Sequence, residues 1–254
     1  MSDLPTAPRV ALAVMAHPDD IEFMAGGLIS RWARAGTELH YCLLTDGNAG
    51  SRDPQLTPER LAMMRREEQQ AAGAIFGVAG YTFLGYHDGR LADTFELRLQ
   101  IARVIRRVRP DAVVTSDPQF FYSPWYLNHP DHRAAGAATT AAIMPLANTR
   151  LAAPELLAEG LEPHDVTDVY LAAAARPTLY VPIEAHDFER KIAAMGAHKS
   201  QIGGWEFEKL LRQFAEDVGR EARAAGVAAD LAEAYVYVNL RPPIREEGQG
   251  AASA

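Results

Sequence analysis

Val10-Ala11-Leu12-Ala13-Val14-Met15 is apolar at six consecutive positions, and no other segment constrains the fold as much. A strand with one face in water alternates apolar and polar residues. A strand without a polar position must be covered on both faces, as in a parallel sheet with helices on either side. The rest of the chain supplies such helices in alternation with further strands. Glu22 to Ala35 reads as a helix and Leu39–Thr45 as a second strand. Thr57 caps a helix with Pro58 at its first position, running to Phe76. Tyr81–Leu84 is a short third strand, Thr94 to Arg109 a helix stopped by Pro110, and Ala112–Ser116 a fourth strand. Gly26-Gly27 inside the first helix costs stability unless another element must approach the backbone closely.

Beyond Pro130 an alanine-rich helix is expected to Met144, then an irregular stretch from Pro145 to Asp168. Strands follow at Val169–Ala173 and Thr178–Ile183, helices over Asp187–His198 and Glu206–Ala225, and a last strand at Ala234–Leu240. This alternation predicts an α/β chain: a Rossmann-like, doubly wound, mostly parallel sheet with helices on both faces. It reads as a single domain over residues 5–243 with a flexible tail at 244–254.

In the common strand order 3-2-1-4-5 of such sheets, strands one and four are neighbours. Ligands bind in the crevice beyond their carboxyl ends. Both strands lead into histidine–acid clusters: Ala16-His17-Pro18-Asp19-Asp20 after the first, and Asn128-His129-Pro130-Asp131-His132 in the loop beyond the fourth. Two neutral imidazoles and one carboxylate can hold a zinc ion, and a spare carboxylate can take a proton from water. Each cluster alone has a plainer account. Asp19 and Asp20 can cap a helix and favour its positive end, and the second cluster can be a polar loop. The topology joins the two clusters and favours the metal.

Composition narrows the class. A chain of 254 residues with 48% hydrophobic content buries a full core, and a net charge of −8 argues against nucleic acid as a partner. The lone Cys42 lies in an apolar run, so no disulfide framework exists. The start Met-Ser-Asp-Leu-Pro lacks a basic and apolar leader, and no run reaches about 18 apolar residues. No membrane partner is expected, and the cytoplasm is the expected location. A nucleotide site would need glycines where Ala16 to Asp20 stand, and two aspartates repel phosphate. A protein that only binds metal without catalysis would need neither Asp19 nor His129.

His17-Pro18-Asp19-Asp20 with His129-Pro130-Asp131-His132 resembles the PIG-L / LmbE-like de-N-acetylases, which remove acetyl groups from N-acetylglucosaminyl compounds. The likeness runs from residue 10 to 202 and takes in Thr45-Asp46-Gly47, Gly50-Ser51-Arg52, Leu84-Gly85-Tyr86, Asp88-Gly89 and His198-Lys199-Ser200-Gln201. The resemblance implies one Zn2+ per chain on His17, Asp20 and His132, with water in the remaining position and Asp19 as general base. It implies a protonated His129 that stabilises the tetrahedral oxyanion or supplies the leaving amine, with Asp131 orienting it. It also implies a small-molecule N-acetyl amino-sugar substrate; a zinc amidase for a non-sugar amide is the alternative.

Arg52, on the loop after strand two, is the substrate-binding candidate, since an arginine fork suits hydroxyls or an anion. His87 and Asp88 read as structural, and His198 as a residue at a helix end. Some family members carry a tyrosine two residues before the first histidine of the second motif. Leu127 stands there, which leaves Tyr126, Tyr122, a tyrosine from the C-terminal half, or none for that role. Phe120-Phe121-Tyr122 and Trp125-Tyr126 make this loop aromatic, as a sugar-stacking wall or a packed lid. The identity of the sugar and a homo-oligomeric state stay open.

Overall fold

Strand β1 (Val10–Met15) is buried along its whole length and lies inside a seven-stranded sheet. A computed structural model describes residues 4–241 except 125, 204 and 205. The expected 244–254 tail and the placement of Trp125 fall outside the described residues.

The chain runs β1, α1 (Asp20–Arg34), β2 (Glu38–Thr45), α2 (Pro58–Phe76), β3 (Gly80–Tyr86), α3 (Phe95–Val108) and β4 (Ala112–Ser116). A short hairpin, β5 (Tyr122–Ser123) and β6 (Tyr126–Leu127), precedes α4 (Pro130–Ala141) and α5 (Pro154–Ala158). Then come β7 (Asp168–Ala172), β8 (Leu179–Pro182), α6 (Ala185–Met195), α7 (Lys199–Ile202), α8 (Phe207–Ala224) and β9 (Ala232–Asn239). Sheet order is β3-β2-β1-β4-β7-β9-β8, with the first five strands parallel and β9 antiparallel to both its neighbours. The doubly wound, mostly parallel sheet read from the sequence is therefore present. Strand β9 binds the far edge together: Tyr235 to Asn239 pair with β7, while Ala232 to Tyr235 pair with β8.

Alternate residues of β1 face two apolar layers. Ala11, Ala13 and Met15 pack with Trp32, Phe76 and Phe188; Leu12 and Val14 pack with Leu97, Ile101, Ile105 and Ala138. Cys42 is free within the second layer, where burial pushes its thiol up to about 12. Among the described residues no helix is long and apolar enough to cross a membrane.

Several local expectations are met for the expected reasons. Thr57 Oγ1 accepts from the Arg60 amide with Pro58 at the first helical position. Gly26-Gly27 is a close-approach seat: an added Cβ would stand 2.8 Å from Lys191 Cγ and 2.6 Å from Ile183 Cδ1, respectively. Other segments differ. The α-helical hydrogen bonding of the alanine-rich helix ends at Ala141 and gives way to a π-type stretch over Ala142–Ala147, where Met144, ahead of Pro145, is extended at φ −135° and ψ 121°. The irregular stretch contains α5, with Pro154 in its first turn. The helix expected over Asp187–His198 ends at Met195, and α7 starts separately.

Helix α4 lies against the end of β4 because residue 136 is glycine. A Cβ there would overlap the Ser116 carbonyl oxygen and stand 3.0 Å from Pro118 N. Backbone cannot yield as a side-chain tip can. Gly136→Ala is expected to destabilise the protein by about 1–3 kcal/mol through overpacking. The check is a lower urea midpoint at unchanged slope; an unchanged midpoint would contradict this packing.

Candidate metal centre

The parallel pairing of β1 with β4 sets two chain exits side by side. At the first, Ala16 O accepts from both the amide (2.8 Å) and the hydroxyl (2.9 Å) of Thr45, which fastens the end of β1 to β2. His17 follows in a buried position. Asp19 precedes α1 at φ 107° and ψ −27° and makes no side-chain cap, while Asp20 Oδ2 accepts from the His17 amide at 2.8 Å. The helix-capping account of the two aspartates therefore does not hold. At the second exit, α4 begins at Pro130 and carries Asp131 and His132 inward, both buried.

Two ring tautomers follow from the neighbours. Asn128 Nδ2 donates to Phe120 O (2.7 Å), which turns Oδ1 toward His132 Nδ1 at 2.9 Å. A carbonyl oxygen only accepts, so His132 carries its proton on Nδ1 and leaves Nε2 bare. His17 Nε2 stands 3.1 Å from Asp88 Oδ1 and 3.3 Å from Asp131 Oδ2, so its proton sits there when the ring is neutral. The two remaining nitrogens, His17 Nδ1 and His132 Nε2, lie 3.3 Å apart. Asp20 meets both, Oδ2 at 3.3 Å from His17 and Oδ1 at 3.1 Å from His132. Two imidazole lone pairs and a carboxylate converging on one point are a fitting donor set for a divalent metal, and hydrogen-bonded remote nitrogens are the usual support.

A second group, His17, Asp88, His129 and Asp131, also has its candidate ligand atoms within 4.8 Å of one another. Its geometry suits a different task. Asp131 already accepts from the Gly89 (2.7 Å) and Leu91 (3.2 Å) amides, and with Asp88 it holds the far side of His17.

Electrostatics separate the two adjacent aspartates. Burial alone would raise Asp20, but His132 and His17 hold its carboxyl well below the usual range. Asp19 is raised, by burial first and by the Asp20 charge, with the Arg65 guanidinium working against both. Burial disfavours a charged His17, yet Asp20, Asp131 and Asp88 push it up to about 12. His129 is lowered, by burial and by charge on His17.

Not every expected contact is present. His129 Nδ1 is 3.9 Å from Asp131 Oδ1 and instead accepts from the Asp131 amide at 3.2 Å. The first turn of α4 points the Asp131 carboxylate at His17, so it does not orient His129 through a hydrogen bond. Asp88, read as structural, touches a metal-ligand candidate. His198, read as a helix-end residue, is wholly buried with Nε2 3.2 Å from Glu22 Oε2. Arg52 is exposed and makes no hydrogen bond or ion pair among the described residues. Arg65 was not legible: it is buried, donates to Gly47 O (3.0 Å) and Pro18 O, and pairs with Asp19 Oδ2 at 3.0 Å.

The aromatic loop forms the β5–β6 hairpin beside this cluster. Phe120 and Tyr126 stack, and Arg133 covers Phe121 at 4.7 Å. Leu127 is 80% exposed and Tyr122 71%. Tyr126 is the tyrosine that feels the centre: burial and the Asp20 charge raise it, and the His129 backbone hydrogen-bonds it.

Residues 12–143 match the family described as PIG-L: GlcNAc-PI de-N-acetylase. Diacetylchitobiose deacetylase of Thermococcus kodakarensis is 34% identical over 84% of this chain and 78% of its own. The 1D-myo-inositol 2-acetamido-2-deoxy-alpha-D-glucopyranoside deacetylase of Kineococcus radiotolerans is 32% identical over 54% of this chain and 45% of its own. Among solved structures, the N,N'-diacetylchitobiose deacetylase of Pyrococcus horikoshii superposes with a TM-score of 0.84 at 27% identity, covering 96% of this chain and 91% of that one.

Because Asp20, Asp131 and Asp88 favour a protonated His17 in the metal-free protein, divalent metal binding near neutral pH should release about one proton, and affinity should rise with pH. Calorimetric titration of Zn2+ into metal-free protein, in buffers of different ionisation enthalpy, reads that release directly. A buffer-independent heat would overturn this account of His17. His17→Ala, Asp20→Ala and His132→Ala should each lose the metal on dialysis.

Proposed function

The chain belongs to the PIG-L family of de-N-acetylases, and we propose that it hydrolyses the acetamide of a small N-acetylated amino sugar, with Zn2+ on His17, Asp20 and His132 and Asp19 as general base. The observation that carries this reading is Asp19 itself. It is a carboxylate beside the ligand set that neither caps its helix nor joins the donors, and its pKa is raised. When bound, the metal supplies Lewis acidity, which polarises the acetyl carbonyl and makes the attacking water a better acid. Asp19 takes the water's proton, and the Arg65 guanidinium limits how far burial raises the group that must do so.

His129 is half-buried at the rim, with Nδ1 occupied as an acceptor and its pKa lowered. Both facts favour the neutral ring with its proton on Nε2. On this reading His129 presents its Nε2–H to the tetrahedral oxygen, the neutral counterpart of the imidazolium expected from the sequence. As the C–O bond forms and the C–N bond breaks, the proton that Asp19 removed from the water passes to the amine nitrogen, and acetate and a free amino sugar leave. Asp131 supports the reaction through His17.

For the substrate, the relatives are named as deacetylases of diacetylchitobiose and of a 2-acetamido-2-deoxy-alpha-D-glucopyranoside, and the exposed faces of Tyr122, Tyr126 and Leu127 offer a wall for such a sugar or its aglycone. Arg52 can reach hydroxyls or an acidic group from the neighbouring loop. A reducing cytoplasm suits the single buried thiol of Cys42. Acetate release should be measured from N,N'-diacetylchitobiose, N-acetylglucosaminyl glycosides and simple N-acetyl alkylamines. Turnover of the alkylamides alone would move the assignment to a non-sugar amidase.

Asp19→Asn should keep its metal and lose turnover by about 10²–10⁴-fold. The raised Asp19 pKa also sets a sign. The deprotonated form is the active one, so kcat/KM in the wild type must fall as pH drops through a value above the usual carboxylate range. That acid limb should flatten in Asp19→Asn; an unchanged limb would place the titrating base elsewhere. If His129 acts through its neutral Nε2–H, His129→Ala should lower turnover without shifting any alkaline limb.

A further inference from the structure

Asp19 is held in a backbone conformation that side-chain-bearing residues seldom adopt, and neighbours must determine it. One face of α2 does so. Arg65 donates to Pro18 O, and Gln69 Oε1 accepts from the Asp19 amide at 3.0 Å. Both polar ends of the Pro18–Asp19 peptide are thereby gripped by residues one helical turn apart.

Behind this grip lies a buried polar chain that touches no metal-ligand candidate. Gln69 Nε2 donates to Glu22 Oε1 at 2.9 Å, and Glu22 Oε2 meets His198 Nε2 at 3.2 Å. Gln69, Glu22 and His198 are each 0% exposed. A carboxylate cannot donate, so Glu22 fixes which end of the Gln69 amide faces it, and the oxygen must face Asp19. Were the amide reversed, Nε2 would oppose the Asp19 N–H and Oε1 would oppose the carboxylate. His198, brought in just ahead of α7, occupies the other Glu22 oxygen and keeps that carboxylate in place.

We propose that Gln69, backed by Glu22 and His198, is a positioning residue for Asp19: it holds the Pro18–Asp19 peptide so that the Asp19 carboxylate faces the reaction and not the helix end. The proposal rests on the reading of Asp19 as general base. A polar network that served stability alone would not act through Asp19, and that difference is measurable.

Gln69→Met keeps the side-chain volume and removes both hydrogen bonds. It should lower kcat by about 10- to 100-fold, the scale of a misplaced reacting group, with KM within about twofold and metal content unchanged. In the Asp19→Asn background the same substitution should change kcat by less than about twofold, because the group it positions has already been disabled. Equal losses in both backgrounds, or no loss in the wild type, would overturn the proposal and leave the base assignment standing. A fully active Asp19→Asn enzyme would instead remove the base assignment and the proposal with it. If Gln69→Met yields no folded protein, His198→Leu and His198→Gln carry the same comparison. His198→Gln can still donate to Glu22 and should recover most of the kcat lost in His198→Leu; equal kcat in the two would overturn the proposal.

Discussion

The pairing of β1 with β4 is the constraint on which the rest of the molecule depends. Ala11 faces Ala112, Leu12 faces Val113 and Ala13 faces Val114 in parallel register. Parallel register makes both strands leave the sheet at the same end, so segments more than a hundred residues apart deliver His17 and His132 to one place. The helices that follow, α1 and α4, begin at those exits, and their first turns carry Asp20, Asp131 and His132. Small residues keep the approach close: Gly136 seats α4 on β4, and Gly26-Gly27 seats α6 and the β9 edge on α1. At that edge Glu233 accepts from the Gly27 and Leu28 amides and pairs with Lys191.

Around this crossing, buried charge is arranged in pairs whose far ends are satisfied by backbone. Asp131 holds His17 while anchored to the Gly89 and Leu91 amides, so the loop after β3 helps orient a side chain on the β1 exit. Asn128 does the same for His132 while its amide nitrogen and backbone tie down the hairpin at Phe120 and Phe121. Removing any one of these partners would leave an unpaired polar group in a dry setting, which costs more than the contact contributes. The ligand orientations are thus enforced by the same bonds that close the neighbouring loops.

The parts legible in the sequence are those whose signal is local. The unbroken apolar run of β1 announces burial on two faces, and Thr57-Pro58 announces a helix start. The paired histidine motifs point to the His17, Asp20 and His132 cluster because each lies within a five-residue stretch. Arg65 and Gln69 escape notice for the opposite reason. They sit in Arg65-Arg66-Glu67-Glu68-Gln69-Gln70, which reads as a solvated helix face. Only the stripe Leu61, Arg65, Gln69, Ala72, Phe76 along the buried side of α2 marks them, and it becomes meaningful once the helix is placed. The place of His198 at a helix end is legible, but its burial is not, because the packing of α7 against α2 is what encloses it. The break in the helix after Pro130 falls at Met144, where Pro145 acts on the residue before it, while the change to π-type bonding over Ala142–Ala147 has no local signal in the alanine-rich sequence.

Two neighbouring carboxylates end up with opposite character, and the backbone is what separates them. Asp20 is the first residue of α1, meets two imidazoles and is driven strongly toward its charged form. Asp19, one residue earlier, leaves regular geometry at φ 107° and meets a single guanidinium in a dry setting, so its proton is held more tightly. Had both aspartates been helical, their side chains would have diverged by the usual turn of the helix and competed for the same amides at its start. The left-handed step removes Asp19 from that competition. A pair of acids with separated proton affinities is the arrangement that lets one serve as a permanent ligand and the other exchange a proton. In this chain the two imidazoles beside Asp20 and the burial of Asp19 produce the separation, and the positive φ of Asp19 is what places the two carboxylates in those different settings.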